Sequence, residues 1–367
     1  MPGSAFGAIF RFSTWGESHG ACVGAVVEGC PAGLALTEAD IKRDLDRRKP
    51  GTDKFSTGRA EADVPEILSG VYEGLTTGAP ISVIVKNSGA RAADYDGLKN
   101  VFRPGHADYG AQMKYGLRDH RGGGRFSGRE TVSRVVAGAI AKKFLRELNV
   151  SVRAYTIEIN GVRIDKNNFD MAVAGKNPLR MPDGQAFEKA SAALNETLSR
   201  GDSAGGVVEC VISNLPPGTG EPVFDKLDAE LAKAVFSVGG VKGVEFGAGF
   251  AAARMAGSAH NDAFFKDENG NISKLTNNAG GVTGGMSDGA DIIFRAAFKP
   301  VPSIKLPQRT VFTDGAETEI KIGGRHDAVI VPRAAVVVEC MAAAVIADMI
   351  LRGLPSKMEN IRKVFSC

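Results

Sequence analysis

Arg103, Lys114, Arg118, Arg121, Arg125 and Arg129 gather around His106 and His120, and only Asp108 and Asp119 offset them before Glu130. Guanidinium groups pair bidentately with carboxylates and phosphates, and imidazole takes or gives a proton near neutral pH. The set therefore has the chemistry of anion binding joined to proton transfer. A charge run is most often a solvated surface. Here, however, Gly122-Gly123-Gly124 lies between Arg121 and Arg125, and successive glycines let a backbone bend sharply and approach a ligand. Ser127-Gly128-Arg129-Glu130 then has the form of a capping box, with Val132, Val135, Val136, Ile140, Phe144 and Leu148 at helical spacing behind it. The predicted geometry is a basic glycine loop feeding a helix N-terminus, where free N–H groups and the helix dipole add to the guanidinium charge.

Two further polar stretches are bounded by glycine. Trp15-Gly16-Glu17-Ser18-His19-Gly20 joins predicted strands over 8–13 and 22–27, which displays Ser18 and His19 at a turn. Taken alone, a histidine in a turn is most simply a surface residue. Gly323-Gly324-Arg325-His326-Asp327 is expected to precede a strand, after which Pro332 opens an apolar helix over 333–351.

The elements that must position these groups are mostly short. Thr37-Glu38-Ala39-Asp40 caps a helix that runs to Arg47-Arg48-Lys49 and stops at Pro50. Cations in a last turn complement the dipole, and gain further interest only if they face the same cavity as the central loop. The polar stretch after Pro50 reads as a loop able to close over a ligand. Strands are predicted over 66–72, 79–86, 206–213 and 292–298, helices over 187–198 and 224–236, and a hairpin at Asn160-Gly161 within 152–164. Positions 257–286 read as one long polar loop. Gly247-Ala248-Gly249 is half of a dinucleotide fingerprint without its strand, turn and helix, and no G-x-x-x-x-G-K-[ST] phosphate loop occurs.

Composition narrows the function classes. A net charge of +3 over 367 residues makes the basic segment local, which argues against a general nucleic-acid binder. The chain shows no run of eighteen apolar residues and no charged-then-apolar leader, so neither membrane insertion nor secretion is expected. Cys22, Cys30, Cys210, Cys340 and Cys367 are scattered without a C-x-x-C pair, the pattern of reduced thiols in a cytoplasmic protein and not of a disulfide frame or metal site. Cys340 falls in an apolar run and is expected in the core. Mixed strands, hairpins and helices without a regular βαβ series predict an α+β fold.

Read together, GESHG at 16–20, RPGHADY at 103–109 with the RGGGR loop, and GGRHD at 323–327 resemble the chorismate synthase family, in order and over essentially the full length. The resemblance implies a single domain spanning 1–367, a β-α-β sandwich with helices between antiparallel sheets, assembled as a homotetramer. It implies 1,4-anti elimination of phosphate from 5-enolpyruvylshikimate 3-phosphate, dependent on reduced FMN. An allylic phosphate leaves poorly and the C–H bond is not acidic, so a reduced flavin that lends electron density and recovers it suits the reaction. Some members reduce their flavin with NADPH and others rely on an external flavin reductase; the sequence leaves both open.

By the same resemblance, His19 protonates the departing phosphate, His106 attends the charge of the reduced flavin, and Asp327 helps to accept the substrate hydrogen as a proton. Ser18, Arg48, Arg103 and Arg129 face the substrate. The FMN pocket is assigned Arg48, Lys54, Arg125, Phe126, Ser127, Gly239, Gly240, Gly284, Lys299, Pro300, Val301, Pro302, Ser303 and Arg325. His120, His260 and His326 are read as structural. Anionic ligands would raise both catalytic histidine pKa values and the arginines would lower them.

Several positions depart from the family pattern. Arg125-Phe126-Ser127-Gly128-Arg129 stands where R-S-S-A-R is usual, which replaces a flavin-side hydroxyl with an aromatic ring. Lys54 stands where Arg is common, Thr52-Asp53 replaces a small polar pair, and Ala328-Val329 replaces Pro-Cys. The competing reading is a non-catalytic anion or RNA binder using RGGGR, against which stand the small net charge and an aromatic content of only 7%. A second enzyme reading is an NADPH-dependent flavin oxidoreductase with net redox turnover.

Overall fold

Alternating burial sets the two sheets. Phe12 and Thr14 turn inward from the strand Arg11–Gly16, and Ile292, Phe294, Ala296 and Phe298 do so from Ile292–Phe298, each with less buried residues between. A period of two gives each strand one core face and one outer face. The computed structural model describes residues 3–51, 55–56, 61–88, 97–268, 270–323 and 327–365. The first sheet contains β1 (Ala5–Phe6), β2 (Arg11–Gly16), β3 (Cys22–Glu28), β4 (Pro65–Ile67) and β5 (Ile81–Lys86), in the order β1-β2-β3-β5-β4. The second contains β6 (Ser151–Ile159), β7 (Val162–Arg163), β8 (Gly206–Ser213), β9 (Val241–Phe246) and β10 (Ile292–Phe298), in the order β9-β10-β8-β6-β7. All neighbours in both sheets are antiparallel.

The principal helices are α1 (Glu38–Arg48), α2 (Asp108–Tyr115), α3 (Thr131–Glu147), α4 (Gly184–Ser199), α5 (Leu227–Phe236), α6 (Val331–Gly353) and α7 (Met358–Phe365). Helix α3 packs on β2 and β3, α6 packs on β6 and β8, and the two helices pack on each other with α1 beside them. The result is the expected α+β sandwich with helices between antiparallel sheets. Gly138 sets the closest approach, since a Cβ there would lie 2.2 Å from the Cys340 Cβ. Helix α6 is apolar and long enough to cross a membrane, yet it lies buried at the centre of the sandwich.

Two buried carboxylates of α6 tie the layers together. Glu339 accepts from Arg47 of α1 at 2.6 and 3.0 Å, from Lys142 of α3, and from the Ala154 N–H of β6 at 3.0 Å. Burial pushes its pKa up, but Arg47 and Lys142 outweigh that and hold it down at about 2. Asp348 accepts the backbone N–H groups of Ala8, Ile9 and Phe10, the last at 2.9 Å, and so fixes the turn between β1 and β2. A buried charge is tolerated only with such partners.

The predicted capping box at Thr37 forms, with Asp40 Oδ2 accepting from the Thr37 N–H at 3.1 Å. The hairpin at Asn160-Gly161 also forms, with both residues in the left-handed region at φ 51° and 79°. Other expectations are corrected. No strand follows Asp327: the Ala328 N–H donates to Phe55 O and its carbonyl accepts from Ala204, bonds to two separate loops, and the chain passes directly into α6. Residues 257–286 hold two hairpins, Phe264–Lys266 with Ile272–Lys274 and Val282–Thr283 with Met286–Ser287. The predicted strand 66–72 divides around Gly70 into Pro65–Ile67 and Val71–Tyr72.

Candidate active site

Strands β2 and β3 pair as far as Gly16 and Val23, so the turn between them is held at the end of the first sheet. In that turn Ser18 Oγ lies 3.0 Å from His19 Nδ1. The RGGGR loop rests on the same ring: a Cβ at Gly122, φ +63°, would fall 2.3 Å from His19 Cε1 and 3.1 Å from Ser18 Oγ. Glycine is needed there both for the backbone angle and for the approach. Two motifs far apart in the chain therefore meet at one imidazole.

After the loop the chain makes two short 3-10 turns, Gly124–Phe126 and Gly128–Glu130, before α3 begins at Thr131. The capping box expected at 127–130 is half formed. Ser127 Oγ accepts from the Arg129 N–H at 3.3 Å, but the Ser127 N–H bonds to Gly124 O. Glu130 instead accepts from Thr14 Oγ1 at 3.0 Å and Arg134 Nε at 2.7 Å, which ties α3 to β2.

A cavity of about 630 Å³ opens beside this loop. Arg125, Phe126, Ser127, Gly239, Gly240 and Lys299 through Ser303 line it, as do Arg103, His106 and Asp327. Its size is within the usual range of cofactor pockets, and Arg125 and Lys299 supply cations for a phosphate-bearing group. Among the described residues, no atom lies within 4 Å of where a Cβ would stand at Gly128 or Gly239, so the backbone there leaves room for a ligand. Phe126 is 59% exposed at the wall. Gly284 does not line the cavity; it is the turn of the Val282–Thr283 and Met286–Ser287 hairpin. Lys54, Arg325, His326 and the Thr52-Asp53 pair lie outside the described residues.

His106 is held on both sides, with Nδ1 3.0 Å from Pro104 O and Nε2 3.1 Å from Ser303 Oγ. A carbonyl only accepts, so Nδ1 carries the proton. Burial, reinforced by the charges of Arg103 and Lys299 and opposed by Pro104 O and Asp108, lowers its pKa to about 4. The ring is therefore neutral at neutral pH. Arg103, also at the cavity, is locked by Asp108, with Nε to Oδ2 at 2.8 Å and Nη2 to Oδ1 at 2.7 Å, and Arg118 adds an ion pair to Asp108 at 2.9 Å.

Arg48 and Arg129 do not line the cavity but form a buried polar cluster with each other. Asp63 joins them: Arg48 Nη2 donates to Oδ2 at 2.7 Å, and Arg129 Nη1 donates to Oδ1. Burial lowers the Arg48 pKa to about 10 against the pull of Asp63. Arg333 joins the cluster to the cavity, donating to Arg48 O at 2.9 Å and to Asp327 Oδ2 at 2.7 Å. Asp63 and Arg333 were missed in the sequence, where the first is one acid of a polar loop and the second a cation at a helix start. His120 and His260 are half-buried outside the cavity lining.

A sequence model described as chorismate synthase matches residues 10–351. The chain belongs to the chorismate synthase family. It is 54% identical over 365 residues to chorismate synthase of Lachnoclostridium phytofermentans, covering 100% of both chains. It is 52% identical over 356 residues to that of Methanocella arvoryzae, covering 96% of this chain and 95% of the relative. A crystal structure of chorismate synthase superposes with a TM-score of 0.77 at 33% identity, covering 98% of this chain and 97% of that one. As a chorismate synthase the protein is a carbon–oxygen lyase of the shikimate pathway. These comparisons give no support to a non-catalytic RNA binder. Gly122 of RGGGR serves the packing on His19, and Arg125 is turned onto Thr14 Oγ1 at 2.8 Å.

Proposed function

We propose that this chorismate synthase, acting as one domain in a cytoplasmic homotetramer, releases phosphate from 5-enolpyruvylshikimate 3-phosphate by 1,4-anti elimination, with reduced FMN held in the 630 Å³ cavity and the substrate reaching from it toward the adjoining His19 turn and the arginine cluster that Arg333 joins to it. The observation that carries the reading is the meeting of the Ser18-His19 turn with the glycine loop, beside a cavity that holds His106 and Asp327. Arg125, Ser127, Gly239, Gly240 and the 299–303 segment would hold the flavin. When bound there, a reduced flavin would supply the transient electron density that breaking an allylic C–O bond needs.

The chain's own residues do the rest. With Nδ1 of His19 engaged by Ser18, we assign to Nε2 the proton given to the departing phosphate. Arg48 and Arg129, oriented by Asp63, pair with an anionic group of the substrate. His106 is neutral in the ligand-free site, and an anionic ring beside it would draw its pKa upward and let it hold a proton there. Asp327, oriented by Arg333, takes the substrate hydrogen as a proton.

The test is anaerobic incubation with substrate and chemically reduced FMN, following phosphate and chorismate together. Equal release of both, only with reduced flavin, is the expected result. Tight binding of both ligands without product would leave the family fold with impaired chemistry and direct attention to Phe126. Bleaching of bound FMN by NADPH alone would mark a chain that reduces its own flavin; no bleaching would assign reduction to an external reductase.

A further inference from the structure

Asn87 is the first residue after β5 and stands across from Ala21, to whose carbonyl it donates its N–H at 3.1 Å. Its side chain makes three more bonds. Nδ2 donates to Glu17 O at 2.9 Å and to Gly20 O at 2.8 Å, the two carbonyls that bracket Ser18 and His19. Oδ1 accepts from Arg129 Nε at 2.8 Å. An amide has one oxygen and one NH2, so this orientation satisfies all three partners and the flipped one satisfies none.

We propose that Asn87 is a positioning residue that couples the two halves of the site, holding the His19 turn with its NH2 and the Arg129 guanidinium with its oxygen. Through Arg129 the same network reaches Asp63 and Arg48. Asp63 is fully buried, with a left-handed φ of 45° that costs a non-glycine residue energy, and it spans both arginines. Substrate charge is then met by an arginine pair whose place relative to the His19 imidazole is set by one amide. Neither Asn87 nor Asp63 needs to touch the reacting atoms.

The inference rests on the proposed elimination, and its test separates the two halves of the amide. Asn87→Asp keeps the acceptor for Arg129 but sets a carboxylate against two carbonyls, which releases the turn. Asp63→Asn weakens only the arginine side. With FMN-loaded enzyme, kcat is read from single-turnover and steady-state phosphate release, and substrate Kd from calorimetry. Asn87→Asp is expected to lower kcat about tenfold or more, the scale of a misplaced catalytic group, with Kd within about threefold. Asp63→Asn is expected to weaken Kd about tenfold, with kcat at saturation nearly unchanged. Asn87→Ala should move both constants. A role confined to stability would lower the melting temperature and leave both constants of the folded enzyme alone, which would overturn the proposal. So would equal loss of affinity in Asn87→Asp and Asn87→Ala. If Asn87→Asp does not fold, Asn87→Ala decides alone, and an unchanged kcat or Kd in it sinks the idea. Wild-type enzyme that binds substrate without turnover would refute the proposed reaction itself, a result visible before any variant is compared.

Discussion

His106 illustrates how much a single ring depends on its surroundings. Its type and the RPGHADY spacing mark it in the sequence, but only the fold reveals a neutral ring clamped between Pro104 O and Ser303 Oγ, with Arg103 and Lys299 lowering its pKa further. His106→Ala should leave FMN and substrate binding largely intact while cutting turnover about a hundredfold or more, the scale of losing a general acid or base. Unchanged turnover would remove it from the mechanism. A stability effect accompanies this. The folded pKa of about 4 lies below the ordinary value near 6.5 of the unfolded chain, so between these limits the unfolded state binds the extra proton. Stability from this group is intact above pH 6.5 and falls as the pH drops toward 4. Between pH 7 and 5 the loss is about 1–2 kcal/mol, and His106→Ala should flatten that part of the profile in urea titrations. Much of the site was legible at this scale because glycine, histidine and arginine carry their chemistry in their types. Asp63, Asn87 and Arg333 were not, since an acid, an amide and a cation become positioning groups only through partners distant in the chain.

Elements were legible where local patterns decide them and opaque where the neighbour decides. The strands at 206–213 and 292–298 are mostly apolar, broken by one charge each at Glu209 and Arg295, and the Thr37 cap and Asn160-Gly161 turn are local chemistry. Strand β9 was hidden because Gly243 interrupts its pattern, and it forms by pairing with β10 through an irregular register at Val241–Gly243. The contact of α3 with α6 is likewise invisible in either helix alone. At Gly138 a Cβ would meet the Cys340 Cβ at 2.2 Å and its Cα and O at 2.5 Å. Gly138→Ala gains about 1 kcal/mol of helix propensity but must push the helices apart. Overpacking costs roughly 1–3 kcal/mol, and the backbone atoms in the way mean that trimming residue 340 brings no relief. With backbone atoms in the clash the cost falls toward the upper end of that range, so a net loss of up to about 2 kcal/mol in denaturant unfolding is expected. Stability equal to wild type would show that α3 and α6 can separate without cost.

For the molecule as a whole, charge and apolar surface lead in different directions. The net charge is only +3, and many ionic groups around the site are spent internally, as in Arg103 with Asp108 and Arg48 with Asp63. The outside, in contrast, retains large apolar side chains that an isolated chain has no use for. Phe224 is 92% exposed, Ile272 and Phe365 80%, and α7 buries none of its eight residues. A helix that short gains little from its own hydrogen bonds, so its order in solution calls for packing against something. Apolar patches on a protein surface commonly mark association. The proposed homotetramer supplies the partner without any other protein. Sedimentation equilibrium should then give four times the 38.5 kDa chain mass, with no monomer over the working concentration range. A single-chain mass with full lyase activity would remove the tetramer from the proposal and show that one chain carries a complete site.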